Sequence, residues 1–159
     1  MKRILGVLSC LMLFLGMAGC SSEQSATYVL ETEEEGLFTM TDTQSFKAKG
    51  DKVYQLTEVT VLTFAELDAA VLDMLVEYYD ATVAAMQENI PSGVTVGASY
   101  EDRTYTMEIA IDLKTADLEA VSEGGYLMGL YGETGEVKQV SFEQTAKALE
   151  ASGYTLLKK

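Results

Sequence analysis

The cleanest pattern in this 159-residue chain is the two-residue alternation from Thr104 to Leu113. Tyr105, Met107, Ile109, Ile111 and Leu113 face one way, and Thr104, Thr106, Glu108, Ala110 and Asp112 the other. Only an extended strand with one buried and one wet face gives such a run a consistent environment, so the chain has to build a half-covered β-sheet. Other segments agree. Tyr28-Val29-Leu30 leads through a Glu33-Glu34-Glu35-Gly36 turn into a second strand. There Phe38, Met40, Asp42, Gln44 and Phe46 share one face, against Thr39, Thr41, Thr43 and Ser45. Gly50-Asp51 turns the chain into a third strand, Lys52 to Thr63, whose Tyr54, Leu56, Thr60 and Leu62 are interrupted by Glu58. Val94, Val96, Ala98 and Tyr100 precede the opening run, with Glu101-Asp102 as the turn between them. A three-strand meander and a second hairpin are expected.

Helical spacing takes over at Thr63. Thr63-Phe64-Ala65-Glu66 reads as a capping box, and Leu67, Val71, Met74, Leu75, Tyr78, Thr82, Ala85 and Met86 recur as a core face until Ile90-Pro91. Thr115 to Ser122 suits a short helix burying Leu118 and Val121. Ser141-Phe142-Glu143-Gln144 caps another, which buries Phe142, Thr145, Ala146 and Leu149 and stops at Gly153. Tyr154 to Leu157 closes the chain as a short strand. Strand pairs segregated from helices indicate an α+β fold: an antiparallel sheet, meander plus second hairpin, with one long and one or two shorter helices on one face.

The amino terminus has a different logic. Lys2 and Arg3 precede a nearly uninterrupted apolar run from Ile4 to Met17, then Ala18-Gly19 and Cys20. Those are the zones of an export signal over residues 1–19, and the run is too short for a spanning helix, which needs about 20 apolar residues. Leu15-Gly16-Met17-Ala18-Gly19-Cys20 resembles a bacterial lipobox, with Met17 where leucine is usual. The resemblance implies lipid on Cys20, cleavage before it, and a protein held on the outer face of the cytoplasmic membrane, or on an outer membrane if the source has one. Cys10 would leave with the signal, so Cys20 has no partner for a disulfide and the domain must stand on its core alone. Residues 20–26 read as the lipidated cysteine and a flexible polar tether, and residues 27–159 as a single domain.

The 25 acidic residues face 11 basic ones, and loss of Lys2 and Arg3 takes the net charge from −14 to −16. Nucleic acid is not expected as a partner given that balance, and repulsion of the body from anionic headgroups is expected. The chain has no His, which removes Ser-His-Asp and Cys-His nucleophiles and His-ligated zinc. No Ser-x-x-Lys stands in for them, so no catalytic residues are assigned and an enzyme is not expected. No cofactor or metal is assigned either.

The mature chain resembles the YehR-like family of small bacterial lipoproteins. The matching stretches are Gly50-Asp51-Lys52-Val53, the run from Ile111 to Leu118, and Ala148-Leu149-Glu150-Ala151-Ser152-Gly153-Tyr154. The resemblance implies a compact α+β domain at a membrane surface, with no established activity to carry across.

Two surfaces remain as candidates. At 100° per residue Glu66, Asp73, Glu77 and Asp80 fall within roughly 60° of one another, a stripe able to meet a hard cation or a basic partner. Glycines from Gly124 to Gly135 form a loop that is unusually apolar through Tyr126, Leu127, Met128, Leu130 and Tyr131, and Tyr126 and Tyr131 could border a ligand. Glu33-Glu34-Glu35 reads as a solvated turn. The expected function is a lipid-anchored, non-catalytic module that binds an envelope protein or supports an envelope assembly. The alternative is a carrier of a cation or small apolar ligand on the stripe or the loop.

Overall fold

A computed structural model describes residues 22–126 and 139–157. Its elements are β1 (Glu23–Glu34), β2 (Phe38–Lys49), β3 (Lys52–Phe64), α1 (Ala69–Glu88), β4 (Val94–Glu101), β5 (Thr104–Asp112), α2 (Leu118–Glu123), α3 (Phe142–Ala151) and β6 (Thr155–Leu156). The strands form one antiparallel sheet in the order β4-β5-β3-β2-β1-β6, with the helices against one face. The fold is therefore α+β, and the meander and second hairpin join where β3 pairs with β5. No helix among the described residues is long and apolar enough to cross a membrane.

Four sequence expectations shift. First, β1 begins at Glu23, not Tyr28, and Glu23 to Ala26 pair with Lys49 to Phe46. Polar side chains hid the strand, because an edge ladder needs backbone groups more than apolar faces. Most of the expected tether is therefore sheet.

Second, Thr63 does not cap α1. It lies inside β3, opposite both Thr39 and Thr104, and Phe64 beyond it is buried. The cap is Asp68, whose Oδ1 accepts the Ala70 N–H at 2.9 Å. Asp68→Ala should lower stability by about 1 kcal/mol, whereas Thr63→Val, which keeps a β-branched strand residue, should be nearly neutral; denaturant melts of the two variants check the assignment.

Third, the buried face of α1 is rotated from the expected one. Leu72, Leu75, Val76, Tyr79, Val83 and Met86 pack inward, while Met74 is 60% and Tyr78 64% exposed. The helix is apolar around most of its circumference, so two overlapping stripes satisfy the same period. Tyr79 decides between them by packing against Phe64 and Tyr105, with ring centroids 6.2 and 5.5 Å away.

The second hairpin turns through Asp102 and Arg103, one residue later than expected, both with positive φ (47° and 64°) as a type I′ turn requires. The Arg103 guanidinium donates to the Ala65 carbonyl, tying this turn to the segment before α1. α3 starts as expected, with Ser141 Oγ accepting the Gln144 N–H at 3.2 Å, and the chain leaves it through Gly153 at φ 91°.

The core has two parts. The larger joins Tyr28, Phe46, Leu56, Ile111, Val121 and Leu149, bringing β1, β2, β3, β5, α2 and α3 together. The smaller gathers Leu62, Phe64, Val83 and Tyr105 under α1.

Candidate functional site

A polar belt lies across the helix-covered face of the sheet. In β2, Asp42 and Gln44 sit on the same face as Phe46 and are 5% and 6% exposed. Register places Thr60 opposite Asp42 and Glu58 opposite Gln44 in β3. Thr60 Oγ1 donates to Asp42 Oδ1 at 3.1 Å, Gln44 Nε2 donates to Asp42 Oδ2 at 3.4 Å, and the Tyr154 hydroxyl donates to the same Oδ2. Burial pushes the Glu58 carboxyl above the usual range, with the Asp42 charge adding to the rise and a Gln44 hydrogen bond opposing it. Burial and the Asp42 carboxylate likewise hold the Tyr154 phenol well above its ordinary value. Asp42 and Gln44 were visible in the β2 alternation and Glu58 as an interruption of β3; that these residues form one cluster was not.

Two more tyrosines do the same work. Tyr105 donates to Asp80 Oδ1 at 2.8 Å and Tyr28 to Glu150 Oε1 at 3.1 Å. Burial first, and then the bonded carboxylate, pushes each phenol up to about 12. A chain with few bases thus satisfies three of its carboxylates, the buried Asp42 and the more exposed Asp80 and Glu150, with neutral phenols.

This dismantles the four-carboxylate stripe. Glu66 stands in the segment before α1, not on it, and Asp80 is committed to Tyr105. Asp73 and Glu77 remain, one turn apart on the outer surface of α1. Among the described residues no three carboxylates or thiols gather closely enough to hold a metal ion. Tyr126 is buried at 9% exposure and its hydroxyl donates to the Met86 carbonyl at 2.6 Å. Tyr131 and Cys20 lie outside the described residues.

What α1 does present is apolar. Val71, Met74 and Tyr78 recur at i, i+3 and i+7, each among the exposed large hydrophobics, in a stripe beside Asp73 and Glu77. The helix contains no Lys or Arg. The open face of the sheet differs: hollows of about 250 and 260 Å³ there are lined by Ser25, Thr27, Ser45, Gln55, Thr57 and Thr95, with Lys47, Lys114 and Asp112 at their margins.

An open six-stranded antiparallel sheet with helices on one face defines a small α+β domain. The chain belongs to the DUF1307 family, described as proteins of unknown function, which it matches over residues 24–155. It is similar to the NMR structure of the Escherichia coli YehR protein (TM-score 0.62, 20% identity, 87% of this chain and 93% of that one). It is also similar to the NMR structure of a protein from Streptococcus pneumoniae TIGR4 (TM-score 0.55, 15% identity, 99% and 98% of the two chains). None of the curated proteins matches it. These likenesses fix family and fold, and the family description carries no activity.

Proposed function

We propose that the protein is an exported domain, held by lipid at Cys20 on the outer face of a membrane, that binds an envelope partner through the outer surface of α1 and catalyses nothing itself. The observation that carries this reading is the Val71–Met74–Tyr78 stripe. Large side chains left in water on a helix rich in alanine bring no gain to the isolated domain, and an exposed apolar patch is the usual mark of a binding surface. The neighbouring Asp73 and Glu77 match a partner that sets basic groups beside its own apolar ones. The lipobox and the unpaired Cys20 support the anchor.

The test is a Met74→Ser/Tyr78→Ser double variant of the full chain. Its stability should change by less than about 0.5 kcal/mol per site, since both side chains are exposed, while a stoichiometric partner recovered from solubilised envelopes is lost. Recovery equal to wild type overturns the docking face. Cys20→Ala checks the anchor separately: it should abolish lipid labelling and membrane retention, and a variant as lipid-labelled and membrane-bound as wild type overturns it.

A further inference from the structure

We infer that the β2–β3 turn is the pole of the domain that lies against an anionic lipid surface, with the strands standing away from it. This rests on lipid attachment at Cys20, and it goes beyond that attachment by orienting the domain. The first bonded residue of the sheet is next to the anchor: the Ser22 carbonyl accepts the Gly50 N–H at 3.2 Å, and Gln24 Nε2 donates to the Gly50 carbonyl at 2.6 Å. Two peptide links join Cys20 to Ser22, a reach of about 7–8 Å. An acyl group on Cys20 therefore holds the turn at the headgroups instead of at the end of a long tether.

That turn carries the densest basic group in the described chain. Lys47, Lys49 and Lys52 fall within six residues and all are exposed. The acids beside them are partly spent. Glu23 lies opposite Lys49 in the β1–β2 register. Asp51 accepts the Glu143 N–H at 2.9 Å at the start of α3, and that backbone bond, aided by the Ser141 hydroxyl, holds its carboxyl below the usual range. Lys114, over the Tyr54 ring at 4.0 Å, is offset by nearby Asp112.

The far pole is the reverse. Glu33, Glu34 and Glu35 at the β1–β2 turn, Glu66 and Asp68 before α1, and Glu101 and Asp102 at the β4–β5 turn gather there, with Arg103 as their described cation. Strands of 12 residues separate the poles by about 40 Å, several times the Debye length of about 8 Å at physiological salt. The lipid surface thus meets the lysines, and the acids of the far pole are screened from it. The charge of the whole chain is not the charge that faces the membrane.

The experiment uses the full lipidated protein reconstituted in vesicles of phosphatidylcholine, with or without phosphatidylglycerol. A membrane-impermeant amine-acylating reagent reports each lysine by peptide mass. Labelling of Lys47, Lys49 and Lys52 should slow several-fold on the anionic vesicles and recover in high salt. Equal labelling on both vesicles overturns the orientation while the acyl mass on Cys20 leaves the anchor standing. An N-terminal peptide without acyl mass overturns the anchor, and the orientation falls with it.

Discussion

Phe46→Ala is expected to lower unfolding free energy by about 3–5 kcal/mol, the range for deleting a buried aromatic. Phe46 is 1% exposed and stacks on Tyr28 at 5.8 Å with an interplanar angle of 3°. Its other side meets Phe142 edge-on at 5.0 Å. One ring therefore joins β1, β2 and the first turn of α3, and nothing of similar size can collapse into the space it leaves. Domains of this kind have only about 5–15 kcal/mol to lose, and the described residues contain no cysteine that could add a disulfide. Denaturant titration should show the midpoint fall with an unchanged slope. A loss below about 1 kcal/mol would mean that the larger core does not depend on that contact.

Glu58→Gln is expected to act in the opposite direction, raising stability at neutral pH by on the order of 1 kcal/mol, because burial and the Asp42 carboxylate both disfavour the charged form that Gln lacks. Glu58 faces Asp42 and Gln44 from β2, Thr60 from its own strand and Tyr154 from beyond α3; no described cation joins them. The sign follows from linkage. The folded carboxyl titrates above its ordinary 4.5, so within that window the native state binds more protons than the unfolded chain, and stability falls as pH rises through it. Asp51 is depressed and contributes the other way, losing its stabilisation as pH falls. Melts of wild type and Glu58→Gln between about pH 4 and 7 isolate the Glu58 contribution: the wild-type deficit should grow with pH and vanish at the acid end. Parallel curves would contradict it.

Much of the fold could be read from the sequence because period two leaves little freedom. The hydrophobic alternation of β5 and the changes of period at α1 and α3 identify these elements before any contact is known. The misreadings have a common physical cause. Glu23–Ala26 join the sheet mainly through backbone pairing, which side-chain hydropathy does not report. Thr63 satisfies a capping pattern locally while two neighbouring strands claim its backbone. The α1 face was ambiguous because Val71, Met74 and Tyr78 are as apolar as Leu72, Leu75 and Tyr79; tertiary contact with Phe64 and Tyr105 alone separates the sets. The same ambiguity concealed the candidate docking face, whose residues the period assigned to the core. For the polar belt the signal was present, in Asp42, Gln44 and Glu58 on an apolar face, but only cross-strand register turns those irregularities into a cluster.

The tyrosine–carboxylate pairs of Tyr28, Tyr105 and Tyr154 have a consequence for how the lysines are used. A protein with this acid excess would ordinarily fold its carboxylates against ammonium groups, tying up each cation and making the structure sensitive to ionic strength. Phenols carry no charge, so these three clasps ask nothing of counterions. They hold until alkali ionises them. Few cations are then consumed by these carboxylates, and Lys47, Lys49 and Lys52 remain exposed at the surface for whatever lies beyond it.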